Sequence, residues 1–316
     1  MNEEVTFTPQ HTIDTAVLFL VFNRLDNTKL VFEAIRQAKP PRLYVAADGA
    51  RVNKEGEAKI VQAVRDYILQ NINWECQVKT LFRDQNLGCK YAVSGAITWF
   101  FENEEQGIIL EDDCVPNFSF FIFCQSLLEK YRFDSRVGMI SGTKLGFANF
   151  EGHSHYSFSR LVQIWGWATW RRAWEGYDVE IKSWIDFKEK KGLQNIGLSP
   201  HICRYLENVF ESAFLSKIDT WDYQWSYKCI SEGLLTIFPR NNLVLNIGFG
   251  PNATHTTQLD GASLPLEDLE MLDQFITHPR FTIPNKSYDD SKILKKSKFR
   301  IIINFVLRKC ISFFNK

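Results

Sequence analysis

The chain has 316 residues, 45% of them hydrophobic and 14% aromatic, enough for one large domain or two small ones around a well-filled core. Seven cysteines at scattered spacings, with no CxxC pair, argue against a zinc module and a disulfide framework and suit a reducing cytoplasm. The net charge of zero is uneven: Ser291 to Lys316 carries eight basic residues and no acid, so the rest carries about minus eight, which does not suit a nucleic-acid binder.

The N-terminal MNEEVTFTPQHTIDT is polar and acidic and reads as neither a signal peptide nor an anchor. Thr15 to Phe22 is a continuous apolar run, as expected of a strand buried on both faces. A turn over Asn23-Arg24-Leu25-Asp26 leads to a predicted helix from Thr28 to Gln37, ended by Pro40-Pro41. Arg42 to Ala47 is the next strand and stops at Asp48-Gly49. A helix over Ala58 to Leu69, a strand over Cys76 to Phe82, a helix over Lys90 to Glu102 and a strand over Gly107 to Leu110 follow. This alternation predicts a parallel α/β sheet, in which ligands sit at the carboxyl ends of the strands. Asn23, Arg24, Asp48, Arg83 and Glu111-Asp112-Asp113 all fall at those ends.

The second half is less regular. Helix is expected over Asn117 to Arg132 and a short strand over Val137 to Ser141. Val162 to Trp174 packs four tryptophans into thirteen residues. Trp184 to Ser216 reads as mostly helical, broken at Gly192 and Pro200. A helix is expected from Asp219 to Glu232, capped by Asp219 or Thr220. Strands over Leu235 to Pro239 and Asn242 to Asn246 precede a Gly-rich loop, Ile247 to His255.

The run Gly107-Ile108-Ile109-Leu110-Glu111-Asp112-Asp113-Cys114-Val115-Pro116 is the most informative. A buried strand that delivers three acids to one sheet edge is costly unless something positive sits there. A divalent metal with a phosphate is the usual solution, and a plain acidic turn is the alternative.

The ordered set VFNR, AADGAR, RDQNLG, IILEDDCVPNFSFF, WGWATW, TWDYQW and NIGFGPNATH resembles the GT-A glycosyltransferases. The nearest likeness is to the inverting group that includes the animal N-acetylglucosaminyltransferase I initiating complex N-glycans, and to related bacterial nucleotide-sugar transferases. The resemblance runs from about Ala16 to His255. It implies a metal-dependent, inverting sugar transfer from a nucleotide diphosphate donor. Asp113 would hold Mn2+ or Mg2+, which bridges the two phosphates and neutralises the leaving diphosphate. Asp112 could bond the ribose hydroxyls, and Glu111 could orient the sugar. Asp48 could accept the N3 hydrogen of a uracil, the reason for favouring UDP. Arg24 could fork onto a phosphate, with Asn23 beside it and Arg83 or Lys90 facing phosphate from the third strand end. Asp222 would be the base, desolvated between Trp221 and Trp225. The family motif can carry two adjacent acids where this chain has Asp222-Tyr223, so Asp219 is the reserve. His255 could add a metal or phosphate ligand. Trp165, Gly166 and Trp167 form either a sugar platform or core.

The expected architecture is α/β: a GT-A, Rossmann-like, mixed and mostly parallel sheet flanked by helices. One domain spans residues 12–285, and a basic amphipathic tail spans 286–316. The acceptor would be a hydroxyl on a glycan or lipid-linked glycan. Rival readings are a sugar nucleotidyltransferase, which usually opens with a Gly-rich phosphate loop absent from Asn23-Arg24-Leu25-Asp26-Asn27, and an inactive carbohydrate-binding protein. Phe299 to Phe314 is apolar but interrupted by Arg308 and Lys309, too short and too charged to span a bilayer. It reads as an interfacial anchor on anionic lipid, placing the protein in the cytoplasm on the inner membrane face, or as a helix packed on the acidic body.

Overall fold

The computed structural model describes residues 13–145, 148–248 and 276–291. The first half follows strict alternation: β1 (Val17–Val21), α1 (Leu25–Ala38), β2 (Arg42–Ala47), α2 (Glu57–Asn71), β3 (Gln77–Phe82), α3 (Gly88–Asn103) and β4 (Gln106–Glu111). α1 starts earlier than the turn residues suggested, with Leu25 and Asp26 already in its first turn. Next come β5 (Cys114–Pro116), α4 (Phe118–Lys130), β6 (Val137–Ser141), β7 (Tyr156–Ser159), β8 (Trp167–Trp170), α5 (Arg171–Trp174), α6 (Trp184–Glu189), α7 (Gly192–Asn195) and α8 (Pro200–Phe214). α9 (Asp222–Ser231), β9 (Leu235–Pro239) and β10 (Val244–Asn246) complete the described elements.

Eight strands form one sheet in the order β3-β2-β1-β4-β8-β6-β9-β7. β3, β2, β1 and β4 run parallel, β8 is antiparallel to both neighbours, and β6 and β9 are again parallel. The sheet is therefore mixed and mostly parallel, as expected. Every residue of β1 is buried, because helices cover both faces of a central parallel strand.

Alternation of side chains across the strands builds two cores. Val17, Phe19, Ile108 and Leu110 face α1, α2 and α4, where Phe32, Ile35, Ile68 and Phe121 meet them. Leu18, Leu20, Ile109 and Trp167 face α3, α5 and α9, where Ile97, Phe100, Trp174, Trp221 and Trp225 meet them. Trp167 stacks on Trp221 at 5.6 Å, and Trp225 contacts both Trp167 and Trp174. Such ring pairs add about 0.5–1.5 kcal/mol each beyond area burial. A third core, around Trp184, Ile202, Phe210 and Tyr227, joins α6, α7 and α8 to the outer side of α9.

Three strands escaped the sequence: β5, β8 and β7, the last an edge strand antiparallel to β9. β8 lies in the tryptophan-rich segment, and it pairs antiparallel with β4, Ile109 opposite Trp167. β5 follows the acids and pairs antiparallel with β10, Asn246 opposite Cys114. Pro116 tolerates this position because the ribbon has only two strands and ends there. Residues 276–291 run back along the outer edge: Asn285 N donates to Phe158 O at 2.7 Å, and Tyr288 stacks on Phe238 at 3.7 Å. No helix among the described residues is long and apolar enough to cross a membrane.

Candidate active site

The strand order reverses at β1. The chain builds β2 and β3 outward on one side of it, then returns to place β4 on the other. Helices on opposite faces part at such a switch point and leave a crevice beyond the strand ends. Arg24, three residues after β1, and Asp112-Asp113, just after β4, meet there.

Arg24 forks onto Asp112 with Nε and Nη2, and its Nη1 donates to Asp113 Oδ2 at 2.9 Å. Asp112 is 3% exposed, so its charge depends on this partner. Burial alone would lower the Arg24 pKa, but Asp112 and Asp113 more than offset it and hold the guanidinium firmly protonated. The expected roles of Arg24 on a phosphate and Asp112 on a ribose are not what this geometry provides. The fork is spent on the acids, and both Asp112 oxygens face Arg24.

Asp113 is the more exposed of the two acids. The end of the β5–β10 ribbon lies over it: Ile247 N donates to Asp113 O at 2.8 Å. A Cβ on Gly248 would fall 2.2 Å from Asp113 Oδ2, so only glycine allows this approach. Glu111 lies on the opposite face of the sheet, with Ile109. Its Oε1 is buried and has no hydrogen-bond partner. Burial first, then the charges of Asp113, Asp112 and Asp222, push the Glu111 carboxyl well above its usual range, with Arg24 opposing them. Asp222, the first residue of α9, is thus near enough for its charge to act on Glu111. Thr220 Oγ1 donates to Asp222 Oδ1.

Asp48 has a different occupation from the one expected. Its two oxygens accept from Gly49 N, Leu87 N, Gly88 N and Asn86 Nδ2, all at 2.9–3.1 Å. Four donors fill the roughly four lone-pair sites of a carboxylate. No acceptor remains for a uracil N3 hydrogen, and Asp48 instead ties the β2 exit to the β3–α3 turn. Arg83 likewise turns inward, with Nη1 on Ala92 O at 3.1 Å. Lys90 is 5% exposed and paired with Glu180 at 3.0 Å, so neither cation faces a phosphate.

Asp219 is neither the cap of α9 nor free to act as a base. It accepts from Cys89 N at 3.1 Å and Lys90 N at 2.9 Å, at the start of α3. The N-cap position of α9 is Trp221, which makes no side-chain cap bond. Trp167 is fully buried in the tryptophan core and presents no face to a sugar, whereas Trp165 is partly buried. His255 lies outside the described residues.

Two residues near these strand ends went unread in the sequence. Cys89, on the first turn of α3, has its pKa raised by burial and then by Glu111, Asp222, Asp219 and Asp48, which places it among the acids. Glu57, 5% exposed, accepts from Asn23 Nδ2 at 2.9 Å and from Arg51 N at 2.7 Å, and its carboxylate also meets the Arg51 guanidinium. It locks the loops after β1 and β2 together, so Asn23 is a strut of the crevice wall. An acid opening a helix is the only local signal Glu57 carried.

Hydrogen bonds from Arg51 hold Glu57 down to about 2 from an ordinary 4.5, against the opposing effect of burial. A depressed carboxyl stabilises the fold above its unfolded pKa and loses that contribution as pH falls through the folded one. Glu57→Gln is expected to cost about 1–2 kcal/mol at pH 7, below the full linkage value because Arg51 is half exposed and solvent-screened. The gap from the unaltered protein should narrow as pH falls from about 4.5 towards 2. Urea unfolding at pH 7 and pH 3 checks this; an equal gap at both would remove Glu57 from the account.

Among the described residues, no group of three or more His, Cys, Asp or Glu side chains converges as a ready metal cage. Magnesium and manganese need less than that. They are commonly held by one or two carboxylates, with substrate phosphates and water completing the shell. Asp113 is an oxygen ligand of the right hardness, and Glu111, two residues before it, has a buried oxygen with no hydrogen-bond partner. The residues present fit a divalent ion that arrives with a diphosphate.

The architecture is that of an α/β protein with a crevice at the sheet's switch point. No protein-family model and no curated protein matches the chain. Solved structures give partial likenesses. A mannosyltransferase from Pyrobaculum calidifontis, in complex with GDP-Man and Mn2+, is 12% identical over 71% of this chain and 70% of its own, with a TM-score of 0.38. GalNAc-T7 with UDP, GalNAc and Mn2+ is 12% identical over 72% of this chain and 42% of its own, with a TM-score of 0.42. S. aureus TarS 1–349 is 8% identical over 73% of this chain and 60% of its own, with a TM-score of 0.38.

Proposed function

We propose that this protein is a metal-dependent, inverting glycosyltransferase that moves a sugar from a nucleoside diphosphate donor to a hydroxyl of a glycan or lipid-linked glycan. One observation carries the reading. Glu111, Asp112 and Asp113 lie at the end of a buried strand at the switch point, and the charge of Asp222, at the start of α9, acts on Glu111. Acids are concentrated there beyond what Arg24 balances, a cost that a cation and diphosphate would relieve.

A Mn2+ or Mg2+ ion held by Asp113 would offset the charge of the departing diphosphate. Arg24 pairs with both Asp112 and Asp113 and holds them in place. Glu111, with its free oxygen, accepts a hydrogen bond from a hydroxyl of the donor sugar. Asp222 takes the proton of the acceptor hydroxyl as that oxygen bonds to the anomeric carbon. The bond from that carbon to the phosphate oxygen breaks, and its electron pair leaves with the diphosphate. Attack from the Asp222 side, opposite the leaving group, inverts the anomeric centre.

A thermal-shift screen of UDP and GDP with and without manganese tests the donor site. A nucleotide at 100 times its dissociation constant adds about 2.7 kcal/mol. That corresponds to roughly 5–10 °C for a domain of this size. No shift with any nucleotide in manganese would sink the reading.

We also assign the C-terminal segment, outside the described residues beyond 291, to an anionic membrane surface on the cytoplasmic side. Its eight cations beside apolar positions support this, each cation worth about 1 kcal/mol near such a surface. Full-length protein should co-sediment with phosphatidylserine vesicles, more weakly as salt rises, and a chain ending at residue 291 should not. Equal sedimentation of both forms would refute the anchor.

A further inference from the structure

The first four N–H groups of a helix have no partner within it. In α3 they are shared between two distant carboxylates. Asp48 takes Leu87 N and Gly88 N, and Asp219 takes Cys89 N and Lys90 N. Gly88 has φ +76°, and a Cβ there would sit 2.8 Å from Asp219 Oδ2, so the sequence keeps this approach open with a glycine.

Asp219 is three residues from Asp222, and the residues between are held from other directions. Thr220 Oγ1 donates to the Asp222 carboxylate. Trp221 O accepts from Tyr177 Oη at 2.9 Å, and its ring stacks on Trp167 of β8 at 5.6 Å. α9 has no side-chain cap of its own, so its start is located by these attachments. Asp219 is the one that ties it to α3, whose first turn also carries Cys89 beside Glu111 and Asp222.

We propose that Asp219 is a positioning residue for sugar transfer: its clamp on the first turn of α3 sets where Asp222 stands relative to Glu111 and the acceptor. This rests on the reading of Asp222 as the proton acceptor. The competing view is that Asp219 merely caps α3. That view predicts a change in stability with no specific effect on the proton-transfer step. Because Asp48 already holds half of the α3 amides and Asp219 is exposed, loss of the clamp leaves the helix anchored.

The test uses the full chain and whichever UDP- or GDP-sugar it hydrolyses fastest in manganese. Asp219→Ala should lower kcat about 10- to 100-fold, since a misplacement of about 1 Å at a reacting group costs up to about 10². Donor KM and manganese-dependent nucleotide affinity should stay within about twofold, because Asp113 and Arg24 are untouched. Asp219→Asn, which keeps one acceptor oxygen, should recover part of kcat. In an Asp222→Asn background, adding Asp219→Ala should cost nothing further, because the clamp acts only through Asp222. Unchanged kcat in Asp219→Ala, an additive loss in the double variant, or equal losses of kcat and nucleotide affinity would each overturn the proposal. Near-normal turnover in Asp222→Asn alone, or no hydrolysis of any nucleotide sugar by the unaltered chain, would instead bring down the functional reading beneath it.

Discussion

Asp222→Asn is expected to slow sugar transfer by about 10²–10⁴, the range for removal of a general base. That is a barrier rise of roughly 2.7–5.5 kcal/mol. The amide still accepts a hydrogen bond, so Thr220 Oγ1 keeps its partner and the start of α9 keeps its form. The substitution leaves the Asp113–Arg24 pair untouched, so nucleotide affinity in manganese should not change. Steady-state turnover and calorimetric titration with the same nucleotide separate the two effects. Equal losses in both would make Asp222 a structural residue. Near-normal turnover would leave the crevice without a base, because Asp219 is already committed to the amides of Cys89 and Lys90.

Asp113→Asn should act on the other half of the reaction. A neutral amide is a poor ligand for a hard cation, so manganese-dependent donor binding should weaken on the order of 100-fold. At a nucleotide concentration of 100 wild-type dissociation constants, stabilisation would then fall from about 2.7 to about 0.4 kcal/mol. The fold should persist. Asn can still accept from Arg24 Nη1, and Asp112 continues to balance the guanidinium. Removing the partner of Asp112 is a different matter, because an unpaired buried charge costs about 3–5 kcal/mol. Manganese-independent affinity should be the same in both proteins. Unchanged nucleotide affinity in manganese would show that Asp113 is not the ligand.

The parallel half of the sheet was legible in the residues. Apolar runs such as Val17–Val21 and residues 43–47 read as buried strands, and the amphipathic stretches between them as helices covering the faces. The placement of Arg24, Asp48 and Glu111-Asp112-Asp113 at strand ends followed from that alternation alone. Strands that read poorly were those whose pairing is non-local. β8 carries bulky tryptophans that suit a platform or a core equally well, and only its register against β4 puts Trp167 inside. β5 is three residues long and exists because β10, over a hundred residues later, supplies its hydrogen bonds.

Local sequence therefore determined which residues gather at the switch point, since that depends on periodicity and chain order. It did not determine what each side chain does there. Asp48 reads in the sequence as a base-recognition acid and Asp219 as a cap of α9 or a reserve base, and both instead bind the amides at the start of α3. Arg24 looks like a phosphate ligand, and it answers Asp112 and Asp113. Hydrogen-bond capacity is finite, and distant segments compete for it. Only the tertiary structure decides how each carboxylate is partnered, and it leaves a buried Glu111 oxygen without a hydrogen bond close enough to Asp113 and Asp222 to feel their charges.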